Sequence, residues 1–220
     1  MSRARFVPAL GFGFLTRWYD PVFAAFLPGA TLRRSVVERL DLQPGQRVLD
    51  LGCGTGTLLV AMHAACPNAT FLGLDIDPSI LELARRKLSD AGIPIALFQH
   101  DAAQPPFPHG SFDRVVSSLV FHHLPTDSHA PMLAQTLNLL VPGGELHLID
   151  WGPPRGVLPR AASLVERLFD GWNRTADSFT GRVPELLHRA GFVNVERIQR
   201  IDTRVGAIDH YRAARGPGVA

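Results

Sequence analysis

The stretch Val48-Leu49-Asp50-Leu51-Gly52-Cys53-Gly54-Thr55-Gly56-Thr57 constrains this chain more than any other. An apolar run that ends in three alternate glycines reads as a strand, a tight turn and a helix start. Glycines at such a turn let a ligand lie against the backbone where a side chain would collide. The spacing is G-x-G-x-G at 52, 54 and 56 with Thr57 following, so it misses the G-x-G-x-x-G pyrophosphate fingerprint. Asp50 stands just before the turn, where a carboxylate repels a pyrophosphate and suits a cationic ligand.

Two further acids sharpen that reading. Asp75 ends the next apolar run, nineteen residues after Gly56. A carboxylate there accepts hydrogen bonds from both hydroxyls of a ribose, at about the 20-residue spacing such sites use. The alternative, that Asp75 caps the helix opening at Pro78, suits Asp77 better. Ile76, next to Asp75, joins the same set. Asp101, in Gln99-His100-Asp101-Ala102, can accept from an adenine amino group while the Ala102 N–H reaches a ring nitrogen. Three carboxylates around a glycine turn fit S-adenosyl-L-methionine, an adenosine with a sulfonium, an ammonium and no phosphate, with S-adenosyl-L-homocysteine as product. They fit NAD or ATP poorly.

The 220 residues suffice for one domain with a full core. We expect a single unit over 1–220, with an N-terminal lid or helical segment at 1–45, a cofactor-binding core at 46–150, and substrate-side helices and closing strands at 151–212. The formal net charge of +2 and the lack of a basic stripe argue against nucleic acid, and Lys87 is the only lysine. Cys53 and Cys66 make no disulfide framework, and Cys53 reads as a small loop residue rather than a redox thiol. No metal-ligand cluster is evident. The N-terminal run from Phe6 to Leu15 is broken by Pro8, Gly11 and Gly13 and reads as mature protein. No apolar run reaches the roughly 18 residues of a membrane span, so a cytoplasmic monomer or homodimer is expected. Phe12, Phe14, Trp18, Phe23 and Phe26 leave peripheral membrane contact open beside a role as lid or core.

From about residue 30, strand and helix patterns alternate, which predicts an α/β doubly wound sheet. Helices are expected over Leu32 to Leu40, from the glycine loop through Ala65, Pro78 to about Ala91, Pro131 to Leu140, Leu158 to Trp172 and Val183 to Ala190. Strands are expected over Arg47 to Leu51, Thr70 to Leu74, Ile95 to Phe98, Phe112 to Ser118, Glu145 to Asp150, Phe192 to Ile198 and Arg204 to Tyr211. Pro142-Gly143-Gly144 reads as a turn, and Ala213 to Ala220 as a frayed tail. Ligands in such sheets sit outside the carboxyl ends of the strands, where every residue singled out above falls.

With these residues in view, the chain resembles the class I S-adenosylmethionine-dependent methyltransferases, in the branch similar to the ubiquinone/menaquinone enzymes. The carriers are the glycine loop, Asp75, Asp101-Ala102, Phe107-Pro108-His109-Gly110-Ser111-Phe112-Asp113, His122-His123-Leu124 and Leu140-Val141-Pro142-Gly143-Gly144. The resemblance runs from Tyr19-Asp20-Pro21 to Ala190-Gly191-Phe192. It implies a mostly parallel seven-stranded sheet with one antiparallel strand near the edge, and an N-terminal lid. It further implies cofactor contacts from Gly52, Cys53, Gly54, Thr55 and Gly56, ribose contact from Asp75, adenine contact from Asp101-Ala102, and a contact near the methionine part from Ser118. Leu119-Val120-Phe121-His122-His123 departs from the quinone enzymes and points instead to the broader small-molecule branch.

Methyl transfer is an in-line displacement that needs a base only if the acceptor carries a proton to lose. His122 and His123 follow the fourth strand, where the methyl would emerge, and neighbours on a helical turn point about 100° apart, so one of them faces the substrate. Packing or capping explains the same pair equally well. Tyr19, in Arg17-Trp18-Tyr19-Asp20-Pro21, pairs with a histidine in some similar N-methyltransferases and is the third catalytic candidate, with plain packing as the alternative. The expected function is transfer of a methyl group to N, O or C of a small molecule, in secondary metabolism or in lipid/quinone-type biosynthesis. The competing readings are a non-catalytic cofactor-binding protein and an RNA or protein methyltransferase.

Overall fold

The computed structural model describes residues 29–153, 181–203 and 206–218. Helix α1 (Gly29–Arg39) leads through a turn with Gly45 at φ 84° into strand β1 (Arg47–Leu51). Four of the five β1 residues are buried, as expected of a parallel strand covered on both faces. Helix α2 (Thr57–Ala65) follows the glycine loop, and strand β2 (Thr70–Asp75) runs parallel to β1. Helix α3 (Pro78–Asp90) starts where proline suits the first turn and Asp77 Oδ1 accepts from the Ser79 N–H at 2.8 Å. Then come β3 (Ala96–Gln99), β4 (Phe112–Ser118), a 3-10 turn at Phe121–His123, α4 (Thr126–Leu139), β5 (Leu140–Gly152), α5 (Val183–Arg189), β6 (Phe192–Asp202) and β7 (Ala207–Arg215).

The seven strands form one sheet in the order β3-β2-β1-β4-β5-β7-β6, with β7 antiparallel to both its neighbours. The doubly wound, mostly parallel sheet expected from the sequence is therefore present. Strand order reverses between β1 and β4, and this opens the crevice in which such sheets bind ligands. One apolar layer holds Val48, Leu59, Met62, Phe71 and Leu81; the other holds Leu49, Leu51, Phe112, Met132, Leu133 and Leu187. Each such side chain, removed from water, contributes roughly 1.5–3 kcal/mol. The crevice is thus floored by a rigid scaffold.

Several boundaries differ from the sequence expectation. Helix α4 begins at Thr126 rather than Pro131, and Pro131 sits inside it. Its first turn is anchored by buried His129, which stacks on Phe121 at 3.8 Å and bonds the Phe121 carbonyl through Nε2 at 3.0 Å. Pro142-Gly143-Gly144 is no free turn. It lies within β5, and a register shift against β4 between Phe112 and Arg114 accommodates it. The supposed tail is in part strand: β7 runs to Arg215, Ala213 is fully buried, and the Arg215 guanidinium donates to the carbonyls of Asn138 and Leu140. The helix expected over Leu158 to Trp172 lies outside the described residues.

A buried polar pair crosses β5 and β7. His147 Nδ1 and His210 Nε2 lie 3.0 Å apart, and Glu145 Oε2 stands 3.5 Å from His147 Nε2. Burial disfavours the charged imidazoles. It lowers His147 and, with His147, Arg39 and Arg212 nearby, brings His210 down to about 3.

Candidate active site

The glycine loop is drawn tight by its own backbone. The N–H groups of Gly52 and Cys53 both donate to the Leu74 carbonyl, at 2.7 and 2.9 Å, which clips the loop to the end of β2. Gly52 at φ 81°, Gly54 at φ 53° and Gly56 at φ 73° occupy the left-handed region that L side chains resist. At Gly52 a Cβ would fall 2.3 Å from Val120 Cγ2, so glycine is required twice over there, by conformation and by the close approach of the segment after β4. Nothing stands within 4 Å of a Cβ at Gly54. The backbone is open to a ligand at that point.

The acids gather below and beside this loop. Asp50 is 2% exposed, and its Oδ2 has no hydrogen-bond partner. Burial first, and then the neighbouring Asp75 carboxylate, push Asp50 up to about 7. Asp75 accepts the Gly54 N–H on Oδ2 at 2.9 Å and the Asp77 N–H on Oδ1 at 3.0 Å. Each of its oxygens keeps a further lone pair for a ligand hydroxyl. Burial raises Asp75 as well, in part offset by those backbone donors. Ile76, beside it, is 41% exposed, an apolar surface left open at the crevice mouth. Asp101 turns the next loop by accepting the Ala103 N–H on Oδ1 at 2.9 Å, and Ala102 is buried.

Thr55 is buried, and its hydroxyl receives the Lys87 ammonium from α3 at 2.9 Å; Lys87 also bonds the Thr57 hydroxyl. The only lysine of the chain thus ties α3 to the loop. Its sequence position gave no hint of this, because the contact joins residues thirty-two apart. Burial, with Asp50 and Asp75 close by, pushes the Cys53 thiol up far from any thiolate. Cys53 and Cys66 are both free and buried.

The second half of the site forms after β4. Ser118 ends the strand half-buried, and Leu119 adopts φ 60°, a left-handed conformation rare outside glycine. Such a residue costs on the order of 1–3 kcal/mol and persists only where its surroundings enforce it. Here Leu119 is buried and its N–H donates to the Ile149 carbonyl at 2.8 Å. The kink sends the chain into the Phe121–His123 turn. There the two histidines part company, as their spacing implies. His122 is 4% exposed and His123 is exposed, with their rings 3.9 Å apart.

Buried His122 meets a partner the sequence reading missed. Its Nδ1 donates to Asp150 Oδ1 at 2.8 Å, and its backbone N–H donates to Asp150 Oδ2 at 3.2 Å. Trp151 N–H adds a third bond to Oδ1 at 2.7 Å. Burial alone would raise the Asp150 carboxyl, but His122, the Trp151 N–H and His123 together hold it below the usual range. Asp150 sits near the carboxyl end of β5, next to β4, level with the ligand-binding ends of the parallel strands. That placement was the available signal. Tyr19, the third catalytic candidate, lies outside the described residues.

Known proteins can now be set beside this geometry. Residues 48–144 match the family model described as a methyltransferase domain. The demethylmenaquinone methyltransferase of Thermus thermophilus is 35% identical over 155 residues, covering 69% of this chain and 67% of that protein. The ubiquinone/menaquinone biosynthesis C-methyltransferase of Shewanella halifaxensis is 28% identical over 201 residues, covering 82% of this chain and 79% of its own length. Among solved structures, the magnesium protoporphyrin IX methyltransferase of Synechocystis with bound S-adenosylhomocysteine superposes with a TM-score of 0.66 at 24% identity, over 85% of this chain and 81% of that one. These named relatives bear out the resemblance to the ubiquinone/menaquinone branch that the glycine loop and the acids carried, even though Leu119 to His123 departs from it in sequence.

Proposed function

The chain belongs to the class I S-adenosylmethionine-dependent methyltransferases, and on that premise we propose that it methylates a hydroxylated aromatic of the quinol kind, with His122 as base. That S-adenosylmethionine-dependent transfer to a small molecule is the activity follows from the family and its named relatives. The quinol acceptor and the residue roles are our reading. The observation that carries it is the buried His122–Asp150 pair at the ends of β4 and β5.

The residues present fit the cofactor. Asp50 offers a buried carboxyl oxygen without a partner, suited to a cationic group, and the glycine loop offers backbone that a Cβ would obstruct. Asp75 would hold the ribose, Asp101 and Ala102 the adenine, and Ile76 its apolar face. Thr55, Cys53 and Ser118 would line the methionine part. When bound, S-adenosylmethionine supplies an electrophilic methyl on a sulfonium.

The chain's own contribution is positioning and a proton acceptor. Because Nδ1 of His122 donates to Asp150, its Nε2 is left with the lone pair. An acceptor hydroxyl within reach gives its proton to that nitrogen, and the electron density gained by the ring goes into the new bond to the methyl carbon. Asp150, held ionised, then balances the imidazolium charge. If the new bond is to oxygen, the imidazolium gives its proton to solvent; if it is to ring carbon, the displaced ring proton leaves to solvent and the imidazolium returns its proton to the ring oxygen, so that the hydroxyl and neutral His122 are both restored.

A direct assay is to supply S-adenosylmethionine with a reduced demethylmenaquinol analogue, a catechol and a primary amine, and follow methylated products by mass spectrometry. We expect product from the quinol, and a loss on the order of 10²–10⁴ in kcat for His122→Ala with cofactor affinity kept. Efficient methylation of the amine with none of the quinol would overturn the acceptor class.

A further inference from the structure

Asp50 is placed to do more than attract a cation, and the reason lies in what surrounds it. Its carboxyl is 2% exposed under the glycine loop, and Oδ2 meets no donor. Among the described residues, β2 brings Asp75, a second carboxyl, the loop brings the Cys53 thiol, β4 sets Val116 beside Asp50 in the sheet, and the Lys87 ammonium of α3 lies on the Thr55 and Thr57 hydroxyls. Asp75 has two backbone N–H donors of its own, whereas none of the described hydrogen bonds reaches Asp50. A buried, unpaired charge of this kind is costly, and it is relieved either by a proton or by a cation.

Resting on the methyltransferase reading above, we propose that Asp50 distinguishes the charged methyl donor from the neutral product by exchanging its proton for the donor's charge. The donor carries a sulfonium and an ammonium against one carboxylate, a net charge of +1; the product, a thioether, carries none. Binding of the donor therefore leaves Asp50 as a carboxylate and sends its proton to solvent. After transfer the sulfonium charge is gone, the carboxylate is again unrelieved, and Asp50 takes a proton back from solvent. Atoms and charge balance in both directions, and no oxidant or co-reactant is needed. The product is thereby held less tightly than the donor near neutral pH, without any change in the contacts to adenosine.

Isothermal titration of the full chain in buffers of different ionisation enthalpy reads the protons directly. With Asp50 at about 7, binding of S-adenosylmethionine at pH 6.5 should release about 0.7 proton, and S-adenosylhomocysteine distinctly less. The donor Kd should tighten by about eightfold from pH 6.0 to 7.5, and the product Kd by less than about threefold. In Asp50→Asn the difference in proton release should vanish and the preference for donor over product should shrink. The wild-type titrations stand alone if that variant does not fold. Equal proton release by donor and product would overturn the role of Asp50 while leaving the methyltransferase reading intact. Failure of both ligands to bind would overturn both.

Discussion

At the scale of single residues, the site divides into groups that hold the cofactor and groups that act on the acceptor, and substitutions should separate them. Asp75→Ala removes a carboxylate that also anchors Gly54 and Asp77 N–H groups. Loss of a charged acceptor should weaken cofactor binding by about 1–3 kcal/mol, read by titration calorimetry. His122→Ala should leave that affinity within about twofold. Asp150→Asn should lower kcat with little change in KM, because the amide offers His122 Nδ1 no negative partner. Recovery of part of the rate by Asp150→Glu would mark positioning as its role. Exposed His123, substituted by Ala, should change kcat by less than about threefold; a large loss there would move the base to the neighbouring ring.

At the scale of elements, the glycine loop and the turn after β4 behave as one unit, because they touch where Gly52 meets Val120. Gly52→Ala forces an L residue to φ 81° and displaces the Val120 side chain. The backbone strain alone costs about 1–2 kcal/mol. The displacement reaches His122, two residues on, so both cofactor affinity and kcat should fall. Val120→Ala added to Gly52→Ala should restore part of kcat, since it removes the two methyl groups in conflict and leaves the strain and a 3.2 Å approach to the Cβ at 120. No recovery would mean that the loop and the turn are independent. This scale also shows what the sequence made legible. Strands β1, β2 and β4 were readable because short buried runs bounded by Gly, Pro and Asp have few alternatives, and the acids at their ends came with them. Asp150 was not readable as a partner of His122, because twenty-eight residues separate them and only sheet order brings them together. The start of helix α4 is not legible in the sequence, since Pro131 resembles an opening residue while the buried stack of His129 on Phe121 secures a turn before it.

At the scale of the whole molecule, buried titratable groups set a pH window for stability. His210 is folded with its value at about 3 against 6.5 for an unperturbed histidine, so the unfolded chain takes up the proton first as pH falls. Stability from this group is complete above about 6.5 and declines as pH drops toward 3, at roughly 1.4 kcal/mol per unit. His147, lowered in the same direction, adds to the slope. Melting temperature measured from pH 7.5 to 5.0 should therefore fall more steeply in the wild type than in a His147→Leu/His210→Leu double variant, whose paired apolar replacements leave neither ring behind. Parallel curves would place the acid sensitivity elsewhere. Asp50 acts oppositely in the ligand-free protein. Its raised value favours the folded state below about 4, and that advantage is lost as pH rises through 7.

The antiparallel β7 has a consequence for synthesis on the ribosome. It lies between β5 and β6, so β6, which precedes it in the chain, has no strand to pair with until β7 has emerged. The order β3-β2-β1-β4-β5 can assemble while the chain is still being made, but the nascent domain then presents β5 as an open edge, with unpaired backbone donors and acceptors. Closure waits for nine residues, Ala207–Arg215, to pair with the open edge of β5 and to give β6 its partner. A pause in translation before that point would leave that edge exposed to pairing with other chains.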